Sequence, residues 1–240
     1  MRIIIIGATS GIGLEVAKLY LKAGWRVGVA GRREKELEKL RLFAPSQVCT
    51  QRLDVTEENA TICLQALIDQ MGGMDVFFLS AGIGKQNLTL QPEIEINTAK
   101  TNVVGFTQMV DAAYHYFERQ GKGHIAVISS IAGTKGLGAA PAYSATKRFQ
   151  SNYIDALDQL AHLNKQPIQF TDIRPGFVAT PILAGGNYPM QMSAAKVASH
   201  IVKAIKNKKR VIIIDWRYRI LVFFWRFIPR WLWVRLPIKS

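Results

Sequence analysis

The chain has 240 residues, 49% of them hydrophobic, and a net charge of +14. That hydrophobic share excludes an intrinsically disordered chain, and the length suits one substantial α/β core. Two cysteines, Cys49 and Cys63, are too few for a disulfide framework. The four scattered histidines (His115, His124, His162, His200) show no metal-ligand spacing, so no metal is expected.

Arg2–Ile6 predicts a first strand. The run is too short for a secretory signal and ends in a glycine turn, which points to a cytoplasmic protein. Gly11–Lys22 predicts a helix with Ile12, Val16, Leu19 and Tyr20 on one face. Trp25–Ala30 is a second strand, Glu34–Leu42 a charged helix, Val48–Leu53 a third strand and Glu57–Gln70 a helix. Asp75–Leu79 follows as a strand, Thr98–Arg119 as a long helix, His124–Ser129 as a strand and Ala142–Leu163 as a second long helix. Ile168–Ile173, Ala194–Ile205 and Arg210–Ile214 complete the series as strand, helix and strand. Apolar, β-branched strands alternating with helices predict a doubly wound α/β fold, with seven parallel strands and helices on both faces. One domain is expected over residues 1–214, followed by an appendage over 215–240.

The first strand runs into Gly7-Ala8-Thr9-Ser10-Gly11-Ile12-Gly13. Gly7 suits the turn out of the strand, and Gly11 and Gly13 let the helix start approach a ligand closely. The free N–H groups and dipole at that helix start favour a pyrophosphate. The G-x-x-x-G-x-G spacing is thus a variant of the Rossmann dinucleotide fingerprint, with Thr9, Ser10 and Ile12 as further cofactor contacts. After the second strand, Gly31 stands where an acid would hold the ribose 2′-hydroxyl of NAD, and Arg32 and Arg33 follow. Arginines suit a 2′-phosphate, so NADP is expected over NAD. The alternative is that both simply open a solvated helix beside Glu34 and Glu36.

Ser130 follows the fifth strand, and Tyr143 and Lys147 lie four residues apart on a helix, sharing one face. A free phenol titrates near ~10. A neighbouring ammonium would lower that value and make Tyr143 a proton carrier, while Ser130 could hydrogen-bond the oxygen of a carbonyl under reduction. On these motifs residues 1–214 resemble the short-chain dehydrogenase/reductase family. The resemblance implies Ser130, Tyr143, Lys147 and Asn102 as the catalytic set, Asn102 holding a water that relays protons to the lysine. It places Asp54 and Val55 by the adenine, and Lys147 also on the nicotinamide ribose. Ala81 and Gly82 match the family's Asn-Ala-Gly, with Ser80 in place of the Asn, and Pro175, Gly176, Val178 and Thr180 match the segment at the nicotinamide. It sets a substrate loop at Leu183–Met192, where Leu183, Tyr188, Met190 and Met192 would make an apolar wall. It also implies a homodimer or homotetramer paired through the two long helices.

Residues 203–240 carry a net charge of +10, whereas the first 202 carry +4. In the tail, Trp216, Ile220, Phe223, Phe227, Trp231 and Val234 line one side of a helical wheel, with Arg219, Arg226 and Arg230 flanking. Leu221, Trp225 and Leu232 fall opposite, and Pro229 is expected to split the segment into two short helices. The longest charge-free stretch, Ile220–Trp225, is far below the ~20 residues of a spanning helix. Residues 215–237 therefore read as a contact with the inner face of a membrane, or as a cap on the cleft or a subunit interface. Nothing resembles a nucleic-acid module. The function expected is NADP(H)-dependent hydride transfer to or from a hydrophobic carbonyl or alcohol of 3-ketoacyl, ketosphingoid or steroid type. The alternative is a non-catalytic NADP-binding module docking on a membrane or protein partner.

Overall fold

The computed structural model describes residues 1–183 and 188–238. In chain order the elements are β1 (Arg2–Ile6), α1 (Gly11–Lys22), β2 (Arg26–Gly31), α2 (Glu34–Phe43), β3 (Val48–Arg52), α3 (Ala60–Met71), β4 (Val76–Leu79), α4 (Pro92–Ala99), α5 (Phe106–Gln120) and β5 (Gly123–Ile128). Then come α6 (Pro141–Leu163), β6 (Ile168–Arg174), β7 (Val178–Ala179), β8 (Met192–Ser193), α7 (Ala194–Lys206), β9 (Val211–Ile213), α8 (Trp216–Phe227) and α9 (Arg230–Trp233).

The main sheet is seven-stranded, in the order β3-β2-β1-β4-β5-β6-β9, and every pairing in it is parallel. The fold is thus the expected Rossmann-like doubly wound one. Successive side chains on a strand point to opposite faces. Ile3 and Ile5 accordingly enter the core beneath α1, α2, α7 and α8, while Ile4 and Ile6 enter the core beneath α3, α5 and α6. Burial on both faces is why β1 reads as a continuous apolar run. The strand order reverses between β1 and β4, and a crevice opens there at the carboxyl ends of the strands.

Three features differ from expectation. The long helix does not begin at Thr98 but at Pro92, and its two α-helical parts are joined by a π-helical turn over Lys100–Gly105. The first part buries only Thr98, so it shows little apolar periodicity. β7 and β8 form a small parallel pair of their own, too short to carry an alternation. In the tail, expected as an appendage to the domain, Tyr218 and Val222 of α8 are part of the core on the α1 side. Pro229 does separate α8 from α9 as expected.

Candidate active site

The glycine turn after β1 holds the mouth of the crevice together. Gly7 has φ +91°, and a Cβ on it would lie 2.6 Å from the Ala81 backbone nitrogen. Any side chain there would push β1 away from the loop after β4. A Cβ on Gly11 would meet the Thr180 methyl at 3.0 Å. The turn thus touches both the Ala81–Gly82 and the Val178–Thr180 segments. Ile12 packs partly buried against the core.

Arg33 reaches back to this turn. Its guanidinium donates to the Thr9 hydroxyl at 2.8 and 3.2 Å and to the Ser10 hydroxyl at 2.6 Å. Arg32 instead faces Asp54 at 3.8 Å. Asp54 also accepts from the backbone and hydroxyl of Thr56, and Val55 is buried beside it with its carbonyl taking a hydrogen bond from Gln108. A Cβ at Gly31 would come within 2.8 Å of the Thr9 methyl, so the position an acid would need is sterically filled.

Ser130, Tyr143, Lys147 and Asn102 converge at the end of β5. The Tyr143 phenol is hydrogen-bonded to Ser130, and the Lys147 ammonium lies 5.7 Å from the centre of the tyrosine ring. Ser130 also accepts from the Ala132 backbone and touches the Pro175 carbonyl at 3.4 Å. Burial raises the Tyr143 pKa above its ordinary value, and the Ser130 hydrogen bond only partly offsets this. The net direction is therefore opposite to the expected lowering, because burial penalises the charged phenolate.

Lys147 is itself buried, which lowers its pKa to about 8, while the carboxylate of Asp172 works the other way. Its ammonium donates to the Ile128 carbonyl at 2.9 Å and to the Gln150 side-chain oxygen at 2.8 Å. Gln150 in turn donates to the Asn102 backbone carbonyl at 2.9 Å. Lys147 is thus linked to the Asn102 backbone carbonyl through the Gln150 side chain. Asn102 sits in the π-helical turn, which aims its side chain at the loop after β4. It accepts from the Ile83 backbone at 2.9 Å and donates to the Ile83 carbonyl at 2.7 Å. A Cβ on Gly82 would sit 3.6 Å from the Lys147 ammonium. Asp172, fully buried on β6, is held by the Ser129 hydroxyl and by Arg174 at 2.7 Å.

The Pro175–Thr180 segment closes the site on the β6 side. Val178 is buried, and the Thr180 hydroxyl donates to the Val178 carbonyl at 3.3 Å. Tyr218 of α8 stands against Gly176, where any Cβ would clash with its ring at 2.2 Å. The Tyr218 hydroxyl accepts the Phe177 N–H at 3.1 Å and faces the Pro189 and Met190 carbonyls at 3.1 and 3.2 Å. Tyr218 therefore clasps the loops on both sides of the substrate segment. Of the predicted apolar wall, Leu183 and Tyr188 are half-buried, and Tyr188 stacks on Phe177 at 4.8 Å. Met190 is also half-buried, packed against the core. Met192 is different: it is 3% exposed within the core, so it supports the wall from behind and does not face the cleft. Residues 184–187 of this loop lie outside the described residues.

Residues 1–189 match the family model described as short chain dehydrogenase. The chain belongs to this family. A relative from Myxococcus xanthus, an uncharacterized oxidoreductase, is 34% identical over 193 residues, covering 78% of this chain and 76% of the relative. Among solved structures, ElxO with NADP bound superposes with a TM-score of 0.79 at 22% identity, covering 91% of this chain and 98% of that one. The 3-ketoacyl-(acyl-carrier-protein) reductase from Brucella melitensis complexed with NADH also gives 0.79, at 21% identity, covering 89% and 96%. As a member of the short-chain dehydrogenases the chain is an oxidoreductase. The family match ends before α7, so α8 and α9 fall outside it.

Gln150, Asp172 and Tyr218 were not found from sequence. Gln150 lies three residues after Lys147 on the same helix face, a spacing that offered a signal. Asp172 and Tyr218 reach the site only through the tertiary fold.

Proposed function

We propose that this short-chain dehydrogenase is an NADPH-dependent reductase of hydrophobic carbonyl compounds. The observation that carries the reading is the Tyr143–Ser130 hydrogen bond with Lys147 beneath the ring, set in the crevice at the strand ends. A nicotinamide cofactor, held by the glycine turn and the Pro175–Thr180 segment, would supply the hydride for the carbonyl carbon. Ser130 and Tyr143 would hold the carbonyl oxygen, and Tyr143 would give it the proton that makes the alcohol. A phenol raised by burial is protonated at neutral pH, which suits reduction over alcohol oxidation. Lys147 would keep a positive charge near the phenol and stabilise the phenolate left after the proton leaves.

NADP over NAD is supported by Arg33, already seated on Thr9 and Ser10 where a 2′-phosphate would be met by a guanidinium fork. Two solved relatives carry different nicotinamide cofactors, so the preference rests on this chain's own residues. Leu183, Tyr188 and Met190 favour an apolar substrate, of 3-ketoacyl, ketosphingoid or steroid type. Leu160 and Leu163 are exposed on α6, which supports a homodimer or homotetramer through α5 and α6.

NADPH oxidation against a panel of apolar ketones and ketoacyl thioesters tests the reading, with NADH and Tyr143→Phe alongside. A ketone reduced with NADPH by the wild type and not by Tyr143→Phe supports it. NADPH binding without turnover of any ketone would instead make the chain a cofactor-binding module.

A further inference from the structure

The two sides of α8 have opposite fates. Tyr218 and Val222 are buried in the core, and Leu221 and Trp225 are half-buried beside them. On the opposite arc Trp216, Ile220, Phe223, Phe224 and Phe227 are exposed, Phe227 by 71% and Trp216 by 67%. The apolar residues on all sides of the helical wheel thus have two separate causes: one arc belongs to the core, the other faces outward. Phe223 packs edge-on against Phe224 and Phe227, with ring centres 5.5 and 5.1 Å away, so the outward rings form one cluster.

The platform is held rigidly. Tyr218 anchors its first turn. At its far end Lys135 donates to the Ile228 carbonyl at 2.8 Å and lies 5.6 Å from the ring centre of Trp233, whose indole N–H donates to the Gly136 carbonyl at 2.8 Å. Beyond Pro229, Trp231 is exposed again. Residues 216–238 contain five arginines and no acid. Arg219, Arg226 and Arg230 are exposed. Asp215, the one acid next to this segment, is already paired with Arg217 at 2.9 Å.

We infer that the outward face of α8 and α9 docks on an anionic lipid surface. Aromatic rings with interleaved arginines match the headgroup layer, where the rings leave water and the guanidiniums meet lipid phosphates. A second copy of the chain is a poorer occupant, because face-to-face pairing would bring like charges together. At 12 residues α8 is about 18 Å long and lies flat, anchored by its inner arc. None of the described helices is long and apolar enough to cross a membrane. Docking is independent of the reductase reading and is tested without turnover.

The test is co-sedimentation with phosphatidylcholine vesicles, with and without about one-third phosphatidylglycerol, at low and high NaCl. Binding to the anionic vesicles only, weakened by salt, is expected. Phe223→Glu/Phe227→Glu should lower partitioning by about tenfold or more, with an unchanged melting temperature. Arg226→Gln/Arg230→Gln, which keeps the exposed rings, should lower it by about fivefold per arginine and serves if the first variant is unstable. No sedimentation with anionic vesicles, or binding that both variants retain, overturns the proposal. So does a wild-type dimer dissociated by Phe223→Glu/Phe227→Glu, which would assign the face to a second copy, and so does a preference for single-stranded oligonucleotide over vesicles.

Discussion

Gln150 offers a quantitative handle on the site. It supplies one of the two acceptors of the buried Lys147 ammonium, at 2.8 Å, and the other is the Ile128 carbonyl. Both bonds favour the charged lysine, against a burial that already lowers its pKa to about 8. A hydrogen bond to a charged group contributes about 1.5–3 kcal/mol, and ~1.4 kcal/mol corresponds to one pH unit. Gln150→Leu should therefore bring the Lys147 pKa down to about 6–7. Gln150→Glu places a carboxylate beside the ammonium and should raise it. The assay is the pH dependence of kcat/KM for NADPH-driven reduction, whose alkaline limb marks loss of the Lys147 charge as pH rises. That limb should sit near pH 8 in the wild type, move down by about one unit or more in Gln150→Leu and up in Gln150→Glu. Three profiles with coincident alkaline limbs would refute both the assignment of that limb to Lys147 and the role given to Gln150.

Arg33→Ala removes the guanidinium from Thr9 and Ser10, and the kcat/KM ratio of NADPH to NADH should fall by about 10–100-fold; an unchanged ratio would place 2′-phosphate recognition elsewhere. Tyr218→Phe leaves the Phe177 N–H without its acceptor. It should cost about 1–3 kcal/mol and lower the melting temperature by roughly 3–8 °C, and a change below about 1 °C would count against the clasp. His124 is buried against Thr171, and desolvation lowers its pKa to about 4. A depressed histidine is neutral in the fold, so stability is lost as pH falls below about 6.5, amounting to about 3 kcal/mol by pH 4. Denaturant titrations at several pH values should show this loss in the wild type, and a smaller one in His124→Gln.

What the sequence disclosed was local. β1 betrays itself because both its faces are buried, and Tyr143 and Lys147 are legible because one helical turn brings them onto one face. Helix α4 stayed hidden because its exposed Ile96 and lone buried Thr98 give no stripe, although Pro92 at its start with Glu93 and Glu95 behind it was a usable signal. A π-helical turn adds a residue to the repeat without changing composition, so the seat of Asn102 has no sequence mark. Asp172 meets Ser129 across 43 residues, and Gln150 meets Asn102 across 48. In the tail the helical wheel separated the two arcs of α8, but which of them faces the core depends on a groove that α8 does not encode.

The clasp by Tyr218 also sets an order of events in time. Its partner Phe177 lies 41 residues earlier. A ribosome adding roughly 5–20 residues per second would leave about 2–8 s between the two. For most of that interval β6 has no β9 beside it, and throughout it the loop at Gly176 has no ring to close over it. The half of the sheet that carries the glycine turn can fold early, whereas the cleft wall must wait for nearly the whole chain to emerge. A nascent chain stalled before residue 218 should therefore display an open, protease-sensitive segment after β6 on an otherwise folded body.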